Sequence, residues 1–131
     1  MAVQVLICDD QEVFRAVARE VVDTMHGFEV VGETETGEDS VVAAGRLHPD
    51  LILMDVHLPG IDGLEASRRI TAEHPEVVVV LLSTYEPEEF GARIPGSGAR
   101  AFISKATLGP DDLKAVWARA ATVGGGGGPA A

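Results

Sequence analysis

Apolar residues in this chain follow two alternating rhythms. Short apolar runs take turns with stretches in which apolar residues recur every three or four positions. The runs are Val3 to Cys8, Phe28 to Gly32, Asp50 to Met54, Val77 to Leu82 and Arg100 to Ser104. Runs of this length with little alternation predict strands buried on both faces, as in parallel sheets. Between the first two runs, Gln11 to Met25 carries Val13, Phe14, Val17, Ala18, Val21, Val22 and Met25 at helical spacing. That predicts a helix with a wide apolar stripe, which Gly27 is placed to end. Gly37 to Leu47 predicts a second, weaker helix ending before Pro49, and Leu64 to Glu73 a third, closed by Pro75. Glu86-Pro87-Glu88-Glu89 reads as a helix start, with acids in the first turn and Pro near the front. Pro95, Gly96 and Gly98 follow closely, so this fourth helix is expected to be short or irregular. Asp111 to Val123 predicts the last helix, with Leu113, Val116, Trp117 and Ala120 on one stripe and either Thr107 or Asp111 as its cap.

Strand and helix alternate five times, which predicts βαβ units, right-handed crossovers and a parallel sheet covered on both faces. A chain of 131 residues fits one domain, over 1–123. Residues 124–131, glycine-rich, read as a flexible linker or tail, either a frayed end or the start of a connection to something longer. The composition is 46% hydrophobic but only 5% aromatic, so Val, Leu, Ile and Ala must fill the core. A net charge of −11 argues against direct grip on nucleic acid, because phosphate contacts need Lys and Arg. Such a surface serves solubility, or steers the chain toward a basic partner or a metal. The single cysteine, Cys8, allows no internal disulfide, and its place in an apolar run predicts an inert buried thiol. The N-terminus lacks the pattern of a signal peptide, and the longest apolar run is too short to span a bilayer. These features predict a cytoplasmic protein with no membrane contact.

The chemistry gathers where the strands end. Asp9 and Asp10 follow the first strand, Asp55 the third, Ser83 and Thr84 the fourth, and Lys105 the fifth. In a parallel sheet those ends share one edge, the usual place for ligands. Carboxylates meeting there repel one another, so either a pKa rises or a cation binds. Oxygen-only ligands favour a hard ion, and Mg²⁺ is the usual choice where phosphoryl groups are handled. Asp10 and Asp55 can each supply an oxygen, the His57 backbone carbonyl another, and Asp9 can act through a water. With its charge offset, Asp55 can attack phosphorus, and Lys105 and Ser83 can contact the transferred oxygens. Plainer readings stand beside these. Asp9 and Asp10 can cap the first helix, Lys105 can be solvated, and Ser83 can bond its own backbone. Asp62 reads as a turn or cap residue, and Gly63 as a close approach or a turn. Trp117 reads as core, with a partner face as the alternative.

Four pieces together resemble the receiver domain of bacterial two-component response regulators. They are Cys8-Asp9-Asp10, the run from Met54 to Glu65 with Asp55 second, Leu82-Ser83-Thr84, and Phe102-Ile103-Ser104-Lys105. The resemblance implies a flavodoxin-like, doubly wound sheet of five parallel strands in order 2-1-3-4-5, with helices on both faces. It implies that Asp55 accepts phosphate from a sensor histidine kinase with Mg²⁺ as cofactor. The only catalysis is then the domain's own phosphorylation and dephosphorylation. It also implies that Ser83 and Phe102 switch together and change the surface of the fourth helix, fifth strand and fifth helix, through which two copies would pair as a homodimer. His57 and Tyr85 hold positions that tune the path of the hydrolytic water. The wording around Asp10-Gln11 and from Lys105 to Leu113 is most like the LuxR/NarL-type subfamily. DNA would then be reached only through a C-terminal domain not in this chain, which would control transcription.

Two departures stand out. Many members carry a cis proline after the lysine, where this chain has Ala106; a cis bond there costs about 2.5–4 kcal/mol, so the local backbone is expected to differ. Ile94 to Gly98 interrupts the fourth helix. Two rival readings remain: a receiver-like interaction module that is never phosphorylated, and an aspartate-nucleophile phosphatase of the haloacid-dehalogenase type. The second needs an acid two residues after the nucleophile, where this chain has His57.

Overall fold

The computed structural model describes residues 2–126. Its elements are β1 (Val3–Cys8), α1 (Glu12–Asp23), β2 (Phe28–Thr34), α2 (Gly37–Leu47), β3 (Leu51–Asp55), α3 (Gly63–Glu73), β4 (Val78–Ser83), α4 (Arg93–Gly96), β5 (Ala101–Ser104) and α5 (Pro110–Gly126). Two 3-10 turns, Pro87–Phe90 and Lys105–Thr107, join the later elements. The five strands form one sheet in order β2-β1-β3-β4-β5, and every pairing is parallel.

The unbroken apolar runs follow from two cores. Successive side chains of a strand point to opposite faces. Ile52 and Met54 of β3 join Ala43 and Ala44 of α2 and Leu64, Ala66 and Ile70 of α3 on one face. Leu51 and Leu53 join Ala18 and Val22 of α1 and Leu113, Val116 and Ala120 of α5 on the other. A strand in the middle must therefore be apolar at every position. Trp117 packs edge-on against Phe28 at 6.3 Å between ring centroids, the core reading of that residue. Cys8 is buried, and burial pushes its thiol pKa up to about 11, which keeps it unreactive at neutral pH.

Several predicted boundaries move. The stripe of α1 is narrower than expected: Val13 is 79% and Val17 43% exposed. The helix instead turns Arg15, Ala18 and Val22 inward, three and four residues apart. β2 runs two residues beyond Gly32, with an irregularity between Val5 and Leu6 of β1 where Val31 has no partner. β3 and β4 each end one residue later than predicted, so Asp55 and Ser83 are strand residues. Neither cap candidate stands directly before α5: Thr107 lies in the preceding 3-10 turn and Asp111 inside the helix, which Pro110 opens. α5 continues past Val123 to Gly126, so the predicted tail begins inside the helix, and residues 127–131 lie outside the described residues. Peptide bonds around Ala106 are trans. Among the described residues no helix is long and apolar enough to cross a membrane.

Candidate functional site

Asp55 is the last residue of β3 and is 4% exposed. Asp9 lies one residue past β1, next to β3, and is 1% exposed. Asp10 follows it into solvent. One carboxylate oxygen from each of the three lies within 4.8 Å of the others. Lys105 reaches in from the end of β5, with Nζ 2.6 Å from Asp9 Oδ2 and 3.5 Å from Asp55 Oδ2. The Asp55 pKa is raised above the ordinary carboxylate range, first by burial and then by the charge of Asp9. Lys105 and the His57 N–H, which donates to Asp55 Oδ1 at 3.2 Å, oppose that rise.

Three carboxylates thus face one ammonium, which leaves negative charge uncompensated. Asp9 Oδ2 is buried and, despite the nearby ammonium, accepts no hydrogen bond of good geometry. Two buried carboxylates and a third at the rim, with a single ammonium between them, are costly unless a further cation completes the set. All available donors are oxygens, which suits a hard divalent cation such as Mg²⁺. Asp9, Asp10 and Asp55 are the residues that can hold it.

The loop after β3 is built to keep Asp55 still. The Gly63 N–H donates to the Val56 carbonyl at 2.7 Å, and the Val56 N–H donates to the Leu82 carbonyl at 3.0 Å. A β-carbon at Gly63 would overlap the Asp55 carbonyl, so the close-approach reading of that glycine holds. Asp62 caps α3 by accepting the Glu65 N–H at 2.9 Å, as the turn chemistry predicts.

The remaining predicted residues surround this cluster more loosely. Ser83 is fully buried, and its Oγ accepts the Tyr85 N–H at 2.9 Å, the plain backbone-bonding arrangement. Among the described residues no hydrogen bond joins Ser83 to Asp55 or Lys105. The His57 and Tyr85 rings touch edge-on at 4.8 Å. Phe90 lies 5.6 Å from His57 and 5.9 Å from Phe102, so a chain of rings runs from the loop after Asp55 to β5.

Arg15 went unnoticed in the sequence. It is 8% exposed, and its Nη1 donates to the Asp9 carbonyl at 2.8 Å. Its other nitrogens pair with Glu12 at 2.5 Å and Glu33 at 3.2 Å. The signal was available: Arg15 shares the inward spacing of Ala18 and Val22, and a charge there needs buried partners.

The sequence model of the response regulator receiver domain matches residues 5–117. The chain belongs to that family. The response regulator GacA of Pseudomonas viridiflava is 37% identical over 103 residues, covering 79% of this receiver and 48% of the relative. The response regulator UvrY of Escherichia coli K12 is 33% identical over 114 residues, covering 87% and 52%. The receiver therefore spans about half the length of the curated relatives it matches. Among solved structures, the response regulator domain of Thermotoga maritima CheB aligns with a TM-score of 0.81 and 27% identity, over 92% of this chain and 97% of that one. The receiver domain of the putative response regulator NarL from Mycobacterium tuberculosis gives 0.82 and 25%, over 91% and 96%. A LuxR-family regulator from Aurantimonas shares the fold, with a TM-score of 0.81 at 24% identity, over 92% and 86%. The resemblance read from four short pieces and the topology it implied both hold.

Proposed function

We propose that this receiver is a phosphorylatable switch in which Asp55 accepts a phosphoryl group from a histidine of a sensor kinase. The observation that carries the proposal is the Asp9–Asp10–Asp55 cluster with the Lys105 ammonium 2.6 and 3.5 Å from two of its acids. A carboxylate oxygen of Asp55 attacks phosphorus, the phosphorus–nitrogen bond breaks, and its electron pair returns to the imidazole. In hydrolysis water attacks phosphorus, the phosphorus–oxygen bond to Asp55 breaks, and Asp55 leaves as carboxylate while inorganic phosphate and a proton are released. Lys105 and the Ser83 hydroxyl stabilise the oxygens of the transferred group. Asp10, Asp55, Asp9 through a water and the His57 carbonyl would hold Mg²⁺, whose charge offsets the carboxylates and the phosphoryl oxygens when it is bound.

The touching rings of His57, two residues after Asp55, and Tyr85, two after Ser83, would limit how water reaches the acyl phosphate. Movement of Ser83 toward the phosphoryl group, followed by Phe102, would alter the surface of α4, β5 and α5, which could also pair two copies. Output through a DNA-binding domain outside this chain, and hence transcription control in the cytoplasm, fits relatives of which the match covers about half the length.

Incubation with Mg²⁺ and acetyl phosphate tests the proposal. Intact-protein mass spectrometry should show one phosphoryl group, lost in Asp55→Asn. Variants at His57 or Tyr85 should change its lifetime several-fold without blocking its formation. Rapid multiple turnover of the donor would favour a phosphatase, and no modification an interaction module.

A further inference from the structure

Lys105 has a third neighbour besides the two acids. Its Nζ lies 4.5 Å from the centroid of the Phe14 ring, and its side chain is 9% exposed. Phe14 stands in the first turn of α1, half-buried against the core on the α1–α5 side. The face of an aromatic ring carries negative electrostatic potential and attracts a cation most strongly where water is excluded. A leucine would fill much of the same space without attracting the ammonium. The lysine stem has four freely turning carbons, so two carboxylates alone leave its head poorly defined. The ring supplies the missing wall. Arg15, the next residue, bonds the Asp9 carbonyl at 2.8 Å, which ties the ring's helix to the same acid that pairs with Lys105.

We propose that Phe14 is a positioning residue for phosphoryl transfer: its ring face holds the Lys105 ammonium between Asp9 and Asp55, ready for the incoming phosphoryl oxygens. The inference rests on the reading of Asp55 as acceptor. Phe14 touches neither phosphorus nor metal and acts only through Lys105. A ring that merely packs would be replaceable by leucine, and its loss would be felt equally with or without the lysine.

A double-mutant cycle separates these cases, using Phe14→Leu, Lys105→Met and both together. The first readout is beryllofluoride affinity in the presence of Mg²⁺, with the rate of Asp55 modification by acetyl phosphate beside it. Phe14→Leu should weaken binding and slow modification by about tenfold, and Phe14→Tyr should restore both. In the Lys105→Met background Phe14→Leu should add nothing, and Mg²⁺ affinity alone should change by less than about twofold. The second readout is NMR of the unmutated protein, in which the Lys105 ε-methylene protons should carry an upfield ring-current shift. Equal losses in both backgrounds, failure of tyrosine to rescue, or an unshifted ε-methylene would each overturn the proposal. Absence of any modification in the unmutated chain would instead overturn the acceptor reading, while leaving the ring-current result to stand or fall separately.

Discussion

α3 and α4 lie side by side over the same face of the sheet and are held in opposite ways. α3 has 11 residues, a side-chain cap from Asp62, and an inner face of Gly63, Leu64, Ala66, Ser67 and Ile70. α4 has four residues, no side-chain cap and no fully buried residue. Pro95 lies within that single turn and can donate no backbone hydrogen bond. What fixes the segment comes from its neighbour. Ser67 Oγ donates to the Ser97 carbonyl at 2.8 Å, and Arg93 pairs with Asp62 at 2.8 Å. Ser97 then folds back on Ile94 through its own hydroxyl. The helix beside the acceptor is stabilised by burial, and the next one by a few tethers. With stability distributed this unevenly, Glu86 to Gly98, outside the acid cluster, is the segment expected to open at lowest cost.

Truncation at matched apolar positions tests that contrast most strongly. Leu64→Ala should cost about 2–5 kcal/mol, since its side chain is 2% exposed and leaves a cavity. Ile94→Ala, half-buried on α4, should cost below about 2 kcal/mol. Urea denaturation of both variants gives the comparison, and equal losses would break it. Next in size is Ser67→Ala, which removes the buried donor to Ser97 and should cost about 1–3 kcal/mol. Hydrogen exchange should then quicken at residues 93–98 while α2 keeps its protection.

Asp62 joins the two helices, because one carboxylate caps α3 and pairs with Arg93. Asp62→Ala should cost about 1 kcal/mol, mostly through the lost cap. Arg93→Ala keeps the cap and should cost less than about 1 kcal/mol, as exposed pairs do. A larger loss at Arg93 would mean that the tether, not the cap, holds the pair of helices together.

The smallest effect concerns pH. Arg68 and Arg69 hold the Glu65 carboxyl down to about 2, from an ordinary value of 4.5. A folded pKa below the unfolded one stabilises the fold above the unfolded value, and that contribution fades as pH falls through the folded value. Glu65→Gln should therefore flatten part of the acid slope between about pH 4.5 and 2, read from thermal melts across that range. Because Arg68 and Arg69 are exposed, salt should shrink the difference.

Much of this architecture is legible in the sequence alone. Unbroken apolar runs separated by helical spacing leave few arrangements besides a parallel sheet sandwiched between helices. That topology brings strand ends to one edge, so the convergence of Asp9, Asp10, Asp55 and Lys105 could be read from their positions after the runs. The Pro95-Gly96 pair likewise announced a broken fourth helix. These signals are local or follow from topology alone.

Other features depended on how elements rotate and pack. Val13 and Val17 looked apolar enough for the core, yet α1 turns Arg15 inward because the Asp9 carbonyl, Glu12 and Glu33 satisfy its guanidinium there. Hydrophobic spacing records which residues tolerate burial, not which polar groups find partners. Phe14 read as one more core residue; only the meeting of α1 with the end of β5, 91 positions later in the chain, puts its ring against the Lys105 ammonium. The sequence therefore settled which acids gather and on which edge, because strand direction and chain order are enough for that. The ring beside the lysine, the arginine behind Asp9 and the tethers on α4 were decided in three dimensions, where side chains from distant segments compete for the same few ångströms.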